Sequence, residues 1–273
     1  MNGIRLIACD LDGTLLDEHR RLPADFTHTL AQLAARGVVF CPASGRQYHS
    51  ILALFPERTS TMPVIAENGA LVMMGERELA SSCLAQADVR QLVATWHTLT
   101  QQGLEIGAVL CGKRSAYVER SGSSFISEVA KYYPRLEVVD DLAAVADDFL
   151  KLAMCVPGSA EREIYPHFAG LGPSLKAVVS GENWVDVMAS GVNKGRGLQQ
   201  LQAALGIERA QTMAFGDFVN DLEMLDAAAH SYAMKNAHPA VVARARFRAP
   251  CNTERGVQQV IHSLLAGAAT HWQ

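Results

Sequence analysis

The chain has 273 residues, enough for one large domain or two smaller ones with separate cores. With 49% apolar and 19% charged residues it reads as a folded globule and not as a disordered segment. Its 24 Lys and Arg against 28 Asp and Glu leave a net charge of only -4, with no basic run to track a phosphate backbone, so nucleic acid is not an expected partner.

The opening stretch MNGIRLIACDLDG meets an acid after about six apolar-leaning residues, too short for a signal-peptide core or a membrane span. A cytoplasmic protein with no membrane partner is expected. Short apolar runs suited to buried strands follow at 4–9 (IRLIAC), 38–41 (VVFC), 63–66 (PVIA) and 212–215 (TMAF). Helical patterns lie between them, at 24–36, stopped by Gly37, and at 194–205. This alternation predicts a parallel sheet with helices on both faces, an α/β arrangement that binds ligands beyond the carboxyl ends of its strands.

From about 84 to 187 the pattern changes. The spacing predicts a helix over 86–102, strands near 104–110 and 114–119, a helix over 122–133, a strand at 149–155, a helix over 159–170, and strands at 175–179 and 183–188. This reads as an α+β domain with an antiparallel sheet, inserted at 84–187 into a core made of 1–83 and 188–273. The α/β rhythm then resumes with helix 194–205, strand 211–215, helix 219–228, strand 231–234 and a last helix over 254–265.

Four polar islands stand where strands of the core end. The first is Asp10-Leu11-Asp12-Gly13-Thr14. Alone it reads as an Asp-Gly turn, but two like charges so close together each disfavour the other's ionisation, and a fold that keeps them at a strand end must supply a cation or a proton. The second is Ser44-Gly45-Arg46, before a helix starting near Arg46; alone Ser44 reads as its N-cap, which is compatible with binding an anion at the free amides there. In the third, Asn193 caps a helix whose first turn holds Lys194, which is either a solvated lysine or the partner of an anion, since it opposes the helix dipole. The fourth is Asp217 after a strand, with Asn220 and Asp221 opening the next helix toward one side. Clustered carboxylates at one rim call for a hard divalent cation, for which Mg2+ is the usual choice. A metal, a lysine and a serine among carboxylates suit a phosphoryl group, with one aspartate as nucleophile and another moving the proton.

In this order the islands resemble the four motifs of the haloacid dehalogenase superfamily of phosphohydrolases: DLDGTLL, Ser44, Lys194 and GDFVND. The insert, with AENGALV before it and GVNKG at its end, is similar to the Cof-type branch with a class IIB cap. Those stretches, with CGKRSAYV and NTERGVQQVI, resemble bacterial sugar-phosphate and flavin-pathway phosphatases. The resemblance implies a Rossmann-like core with an α+β cap and a Mg2+-dependent phosphatase acting on a small phosphorylated metabolite. It implies Asp10 as nucleophile and Asp12 as acid and then base. Mg2+ would be held by Asp10, the Asp12 carbonyl and Asp217, and the phosphoryl oxygens by Ser44, Lys194 and amides near Leu11, Asp12 and Gly45. Thr14, Asn220 and Asp221 would support them. Where relatives often carry Asn, this chain has Arg46, which either reaches a second anionic group or faces solvent. Asn68 faces the site or is a turn residue before Gly69, and Lys113, Arg114, Glu182 and Asn183 are either specificity residues of the cap or ordinary turn residues.

A mutase of the same superfamily shares these islands, whereas a non-catalytic binding module would have lost Asp10 or Asp12. A carbon-attacking dehalogenase needs neither the second aspartate nor a metal. There is no G-x-x-x-x-G-K-[ST] loop, no G-x-S-x-G elbow and no HExxH, which argues against nucleotide-loop enzymes, serine hydrolases and zinc hydrolases. The six scattered cysteines have no metal-ligand spacing and read mostly as small buried hydrophobes.

Overall fold

The run LIAC forms strand β1 (Leu6–Cys9), buried at every residue, in the computed structural model, which describes residues 3–58, 60–120 and 123–267. Helix α1 (Phe26–Ala34) turns Phe26, Leu30 and Leu33 inward at helical spacing. Strand β2 (Val39–Pro42) and the short helix α2 (Tyr48–Leu54) follow, the latter starting two residues beyond Arg46.

Strand β3 (Pro63–Ala66) departs from the expected parallel arrangement. The chain reverses over Glu67–Gly69, so β3 pairs antiparallel with β4 (Leu71–Met74) in a small sheet completed by β5 (Arg77–Ser81). An isolated parallel bridge, Ala43 to Ile65, ties β3 to the end of β2.

The insert contributes α3 (Gln86–Gln101), β6 (Gly107–Gly112), β7 (Ala116–Glu119), α4 (Ser123–Val129), β8 (Leu136–Val139), β9 (Phe149–Cys155), α5 (Ala160–Glu163), α6 (Tyr165–Phe168), β10 (Leu175–Gly181) and β11 (Trp184–Ala189). Its sheet has the order β10-β11-β9-β6-β7-β8. It is antiparallel except that β7 and β8 run parallel, because α4 carries the chain back between them. The expected helix over 122–133 ends at Val129, and Gly122 lies outside the described residues; Tyr133 precedes Pro134, whose ring disfavours a helical Tyr133. The expected helix over 159–170 is two short helices, since Pro166 has no N–H to continue the ladder past Ile164. Trp96, Leu110, Leu152, Met154 and Val187 centre its core.

The last third supplies α7 (Lys194–Leu205), β12 (Thr212–Gly216), α8 (Leu222–Asp226), β13 (His230–Met234), α9 (Pro239–Arg244), β14 (Phe247–Ala249) and α10 (Gly256–Leu265). The five-stranded sheet β14-β13-β12-β1-β2 is parallel throughout. Leu6, Ala8, Leu198, Leu201 and Ala214 lie in its core. The expected helix over 219–228 is a tight turn, Val219–Asp221, followed by the brief α8. Two compact units result: Met1–Ser44, Ile51–Ala80 and Asn193–Gln273 form one, and Gly45–Ser50 with Ser81–Val192 form the other. Among the described residues no helix is long and apolar enough to cross a membrane. Cys9, Cys41 and Cys111 are buried, Cys155 and Cys251 half-buried and Cys83 exposed, so the expectation of burial holds for half of them.

Candidate active site

Strand β1 delivers Asp10 to the carboxyl edge of the parallel sheet, where its N–H makes the last ladder bond, 3.0 Å to Phe215 O. The chain then opens into a wide turn over Leu11–Leu15, closed by Leu16 N–H donating to Leu11 O at 2.9 Å. Gly13 occupies the left-handed region at φ +79, and a Cβ there would lie 2.4 Å from Asp217 Oδ2. Glycine thus supplies both the turn and the room that Asp217 needs. Asp12 is exposed on this turn, Leu11 is buried, and Thr14 reaches back to donate its hydroxyl to Asp217 Oδ1 at 2.8 Å.

Helix α7 is capped by Asn193, whose side-chain oxygen accepts from Arg196 N–H at 2.7 Å. That start buries Lys194, whose ammonium donates to Asp10 Oδ1 at 2.6 Å and to Asp221 Oδ1 at 2.7 Å. Asp221 Oδ2 accepts from the backbone N–H groups of Asp217 and Phe218, at 3.0 and 3.2 Å, which tightens the turn ahead of α8. Asn220 donates to Asn68 Oδ1 at 3.1 Å. Ser44 is buried; its N–H donates to Ile65 O at 2.9 Å and its carbonyl accepts from Asn68 N–H at 3.0 Å.

Charge bookkeeping decides what this pocket accepts. Asp10, Asp217 and Asp221 each bring a carboxylate oxygen within 4.8 Å of the others, and one ammonium stands among them. Three negative charges against one positive leave an excess of two. Burial pushes the Asp10 carboxyl well above the ordinary carboxylate range; Lys194 opposes that, and Asp221 and Asp217 add to it. Burial, then the Asp221 charge, push Asp217 up to about 6. Burial works against the Lys194 charge, but Asp10 and Asp221 outweigh it and hold the ammonium above its usual range. A divalent cation matches the excess in sign, size and oxygen preference, so the donor set fits Mg2+.

Asp10, Asp12, Thr14, Ser44, Asn68, Lys194, Asp217, Asn220 and Asp221 all belong to the first compact unit. Gly45 and Arg46 group with the second, where Gly45 O accepts from Lys151 Nζ at 2.8 Å. The polar candidates of the insert are engaged locally. Lys113 lies 3.6 Å from Asp148 Oδ2, and Arg114 pairs with Asp147 and donates to Ala146 O. Asn183 donates to Gly158 O at 2.7 Å, while Glu182 is exposed and its carbonyl accepts from Ala160 N–H.

Two supports of the Asp12 turn escaped the sequence reading. Asn236 donates to Gly13 O at 2.7 Å, and Asn252 donates to Leu16 O at 2.8 Å while its N–H meets Asn236 Oδ1 at 3.2 Å. Both residues follow strands of the parallel sheet, β13 and β14, and β14 was not anticipated. The insert also holds an unforeseen buried pair, Lys151 with Asp186, at 3.1 Å.

A sequence profile of the haloacid dehalogenase-like hydrolases matches residues 7–261. The chain belongs to the haloacid dehalogenase-like hydrolase family. It is therefore a hydrolase, and the Asp10, Lys194 and Asp217 pocket lies within the matched span. The 5-amino-6-(5-phospho-D-ribitylamino)uracil phosphatase YbjI of Escherichia coli (strain K12) is 35% identical over 270 residues, covering 96% of this chain and 97% of that protein. SMU.1108c of Streptococcus mutans UA159 superposes with a TM-score of 0.87 at 30% identity, covering 96% of this chain and 99% of the other. The subclass IIB sugar phosphatase BT4131 of the same family shares the fold at a TM-score of 0.79, with 23% identity over 95% of this chain and 98% of that one.

Proposed function

We propose that this hydrolase cleaves phosphate monoesters of small metabolites by way of an aspartyl phosphate on Asp10. The observation that carries the reading is the buried Asp10 carboxylate, with one oxygen held by Lys194 and two further carboxylates beside it. Fixing one oxygen this way orients the carboxylate for attack and pre-places positive charge where phosphoryl oxygens gather. Bond formation from Asp10 to phosphorus expels the leaving oxygen, to which Asp12 gives a proton. Asp12, exposed on its turn, then takes a proton from water as that water attacks phosphorus, and the bond to Asp10 breaks. Ser44, Lys194 and the amides of Leu11 and Gly45 bind the phosphoryl oxygens.

Asp10, the Asp12 carbonyl and Asp217 would hold Mg2+ in this reading. When bound, the cation supplies the countercharge that keeps both carboxylates ionised and polarises the phosphoryl group. Thr14 fixes the orientation of Asp217, and Asp221 that of Lys194.

The substrate class proposed is sugar and sugar-alcohol phosphates. The ribityl phosphate named for the Escherichia coli relative is one of these, and the 35% identity spans nearly the whole chain. Arg46, Lys113, Arg114, Glu182 and Asn183 are proposed to tune the choice of leaving group. The test is phosphate release from sugar phosphates, ribitylaminouracil phosphate, FMN, pyridoxal phosphate and p-nitrophenyl phosphate, with Mg2+ or EDTA, and with Asp10→Asn as control. Turnover that needs Mg2+ and is lost in Asp10→Asn is expected; turnover that persists in Asp10→Asn would overturn the mechanism.

A further inference from the structure

The reversal between β3 and β4 places three consecutive residues in the left-handed region, at φ +50 for Glu67, +55 for Asn68 and +95 for Gly69. Only the last is glycine, so the surrounding structure must hold the other two there. The loop makes three connections, each to a different polar island. The Asn68 N–H donates to Ser44 O at 3.0 Å. The Asn68 side-chain oxygen accepts from Asn220 Nδ2 at 3.1 Å. Gly69 lies so near the start of α7 that a Cβ on it would stand 2.2 Å from Asn193 O, one residue before Lys194.

These islands are borne by separate strands and helices, and the loop touches three of them at once, at Ser44, Asn193 and Asn220. Asn68 is 3% exposed, so its amide has a fixed partner and little freedom to turn toward a bound molecule. We infer that Asn68 is a positioning residue for the hydrolytic reaction, holding Asn220 and the Ser44 backbone in place and not contacting the substrate. This rests on the phosphatase reading above.

The backbone bond to Ser44 and the side-chain bond to Asn220 separate experimentally. Asn68→Gly keeps the first, suits φ +55 and removes the second; Asn68→Asp keeps an oxygen for Asn220 Nδ2 to donate to. The experiment is a double-mutant cycle of Asn68→Gly and Asn220→Ala, read as kcat and KM on a sugar phosphate and on p-nitrophenyl phosphate, and as the inhibition constant of inorganic phosphate. Displacing a group that bears on reacting atoms typically costs about 10- to 100-fold. A loss of kcat/KM of about that size in Asn68→Gly is expected, equal for both substrates, with weaker inhibition by phosphate and partial recovery in Asn68→Asp. The double variant should be no worse than Asn220→Ala alone. Asn68→Ala, which keeps the native Cβ, takes the place of the glycine variant in the cycle if that one does not fold.

Losses that multiply in the double variant would overturn the inference, as would a loss confined to one substrate, which would make Asn68 a substrate contact, or wild-type rates in Asn68→Gly. Absence of turnover in the unsubstituted protein would defeat the phosphatase reading and this inference with it. Turnover there with multiplying losses would defeat the inference alone.

Discussion

The ammonium of Lys194 stands 2.6 Å from Asp10 Oδ1, with the two side chains 1% and 8% exposed. Its second bond, to Asp221, makes it the bridge between the end of strand β1 and the turn before α8. Lys194→Met leaves both carboxylates buried without their cation, so unfolding free energy is expected to fall by about 3 kcal/mol. Loss of its charge at the phosphoryl group should lower kcat/KM by about 10³. Lys194→Arg should not restore activity, because a planar guanidinium does not fit a point-charge site. Urea titration and phosphate release check the three expectations, and a Lys194→Met enzyme of normal rate would remove Lys194 from the mechanism.

Acid should stabilise the protein in the absence of divalent cations. Asp217, pushed up to about 6 by burial and Asp221, and Asp10, also raised, hold protons more tightly when folded than when unfolded. Each therefore costs stability as pH rises through its folded pKa, and relieves that cost as pH falls toward the unfolded value of about 3.9. In EDTA, Tm is expected to rise by a few degrees as pH falls from about 7.5 to about 5.5. With Mg2+ the rise should vanish, because the bound cation keeps both groups ionised. A falling Tm in EDTA over this range would contradict the charge excess assigned to the pocket.

Gly13→Ala tests whether Asp217 needs its present seat. The new Cβ, at φ +79 and 2.4 Å from Asp217 Oδ2, must displace that carboxylate or the turn that carries Asp12. Activity should drop by about 10²-fold or more, and the Mg2+ concentration giving half-maximal rate should increase. Unchanged Mg2+ dependence would separate Asp217 from metal binding.

Within the insert, Lys151 and Asp186 are 3% and 4% exposed and 3.1 Å apart, and Lys151 also donates to Gly45 O. Asp186→Leu removes the carboxylate that balances the buried ammonium and should cost about 3–5 kcal/mol in urea unfolding. Lys151→Met with Asp186→Leu should recover most of that loss, because an apolar pair needs no compensating charge. A double variant as unstable as Asp186→Leu would show that Lys151 stabilises mainly through Gly45.

The strongest strands and the islands at their ends were legible because each is local. A four-residue buried run is apolar throughout, and the residue after it has nowhere to go but the rim. What stayed hidden depends on partners distant in sequence. Asn236 and Asn252 look like ordinary loop residues until β13 and β14 bring them under the Asp12 turn. Lys151 sits in the run FLKLAMC, where only the fold reveals Asp186 on the neighbouring strand, diagonal to it across the register. Strand β3 was legible only in part: PVIA reads as a parallel strand and its bridge to Ala43 is parallel, but the left-handed residues after it send the chain back into an antiparallel ladder with β4. In 159–170 and 219–228, Pro166 and the two amides gathered by Asp221 broke patterns that periodicity alone would continue.

Strand β1 lies between β2 and β12, its residue Leu6 paired with Val39 on one side and with Thr212 on the other. During synthesis at about 5–20 residues per second, one flank of β1 is covered within seconds, while the other waits roughly 10–40 s for β12 to be made. Over that interval a wholly apolar strand has an open edge and Asp10 has no lysine beside it. A nascent chain halted before Thr212 should accordingly recruit chaperones and aggregate when released, although Asp10 and Asp12, the two carboxylates after β1, were complete from the start.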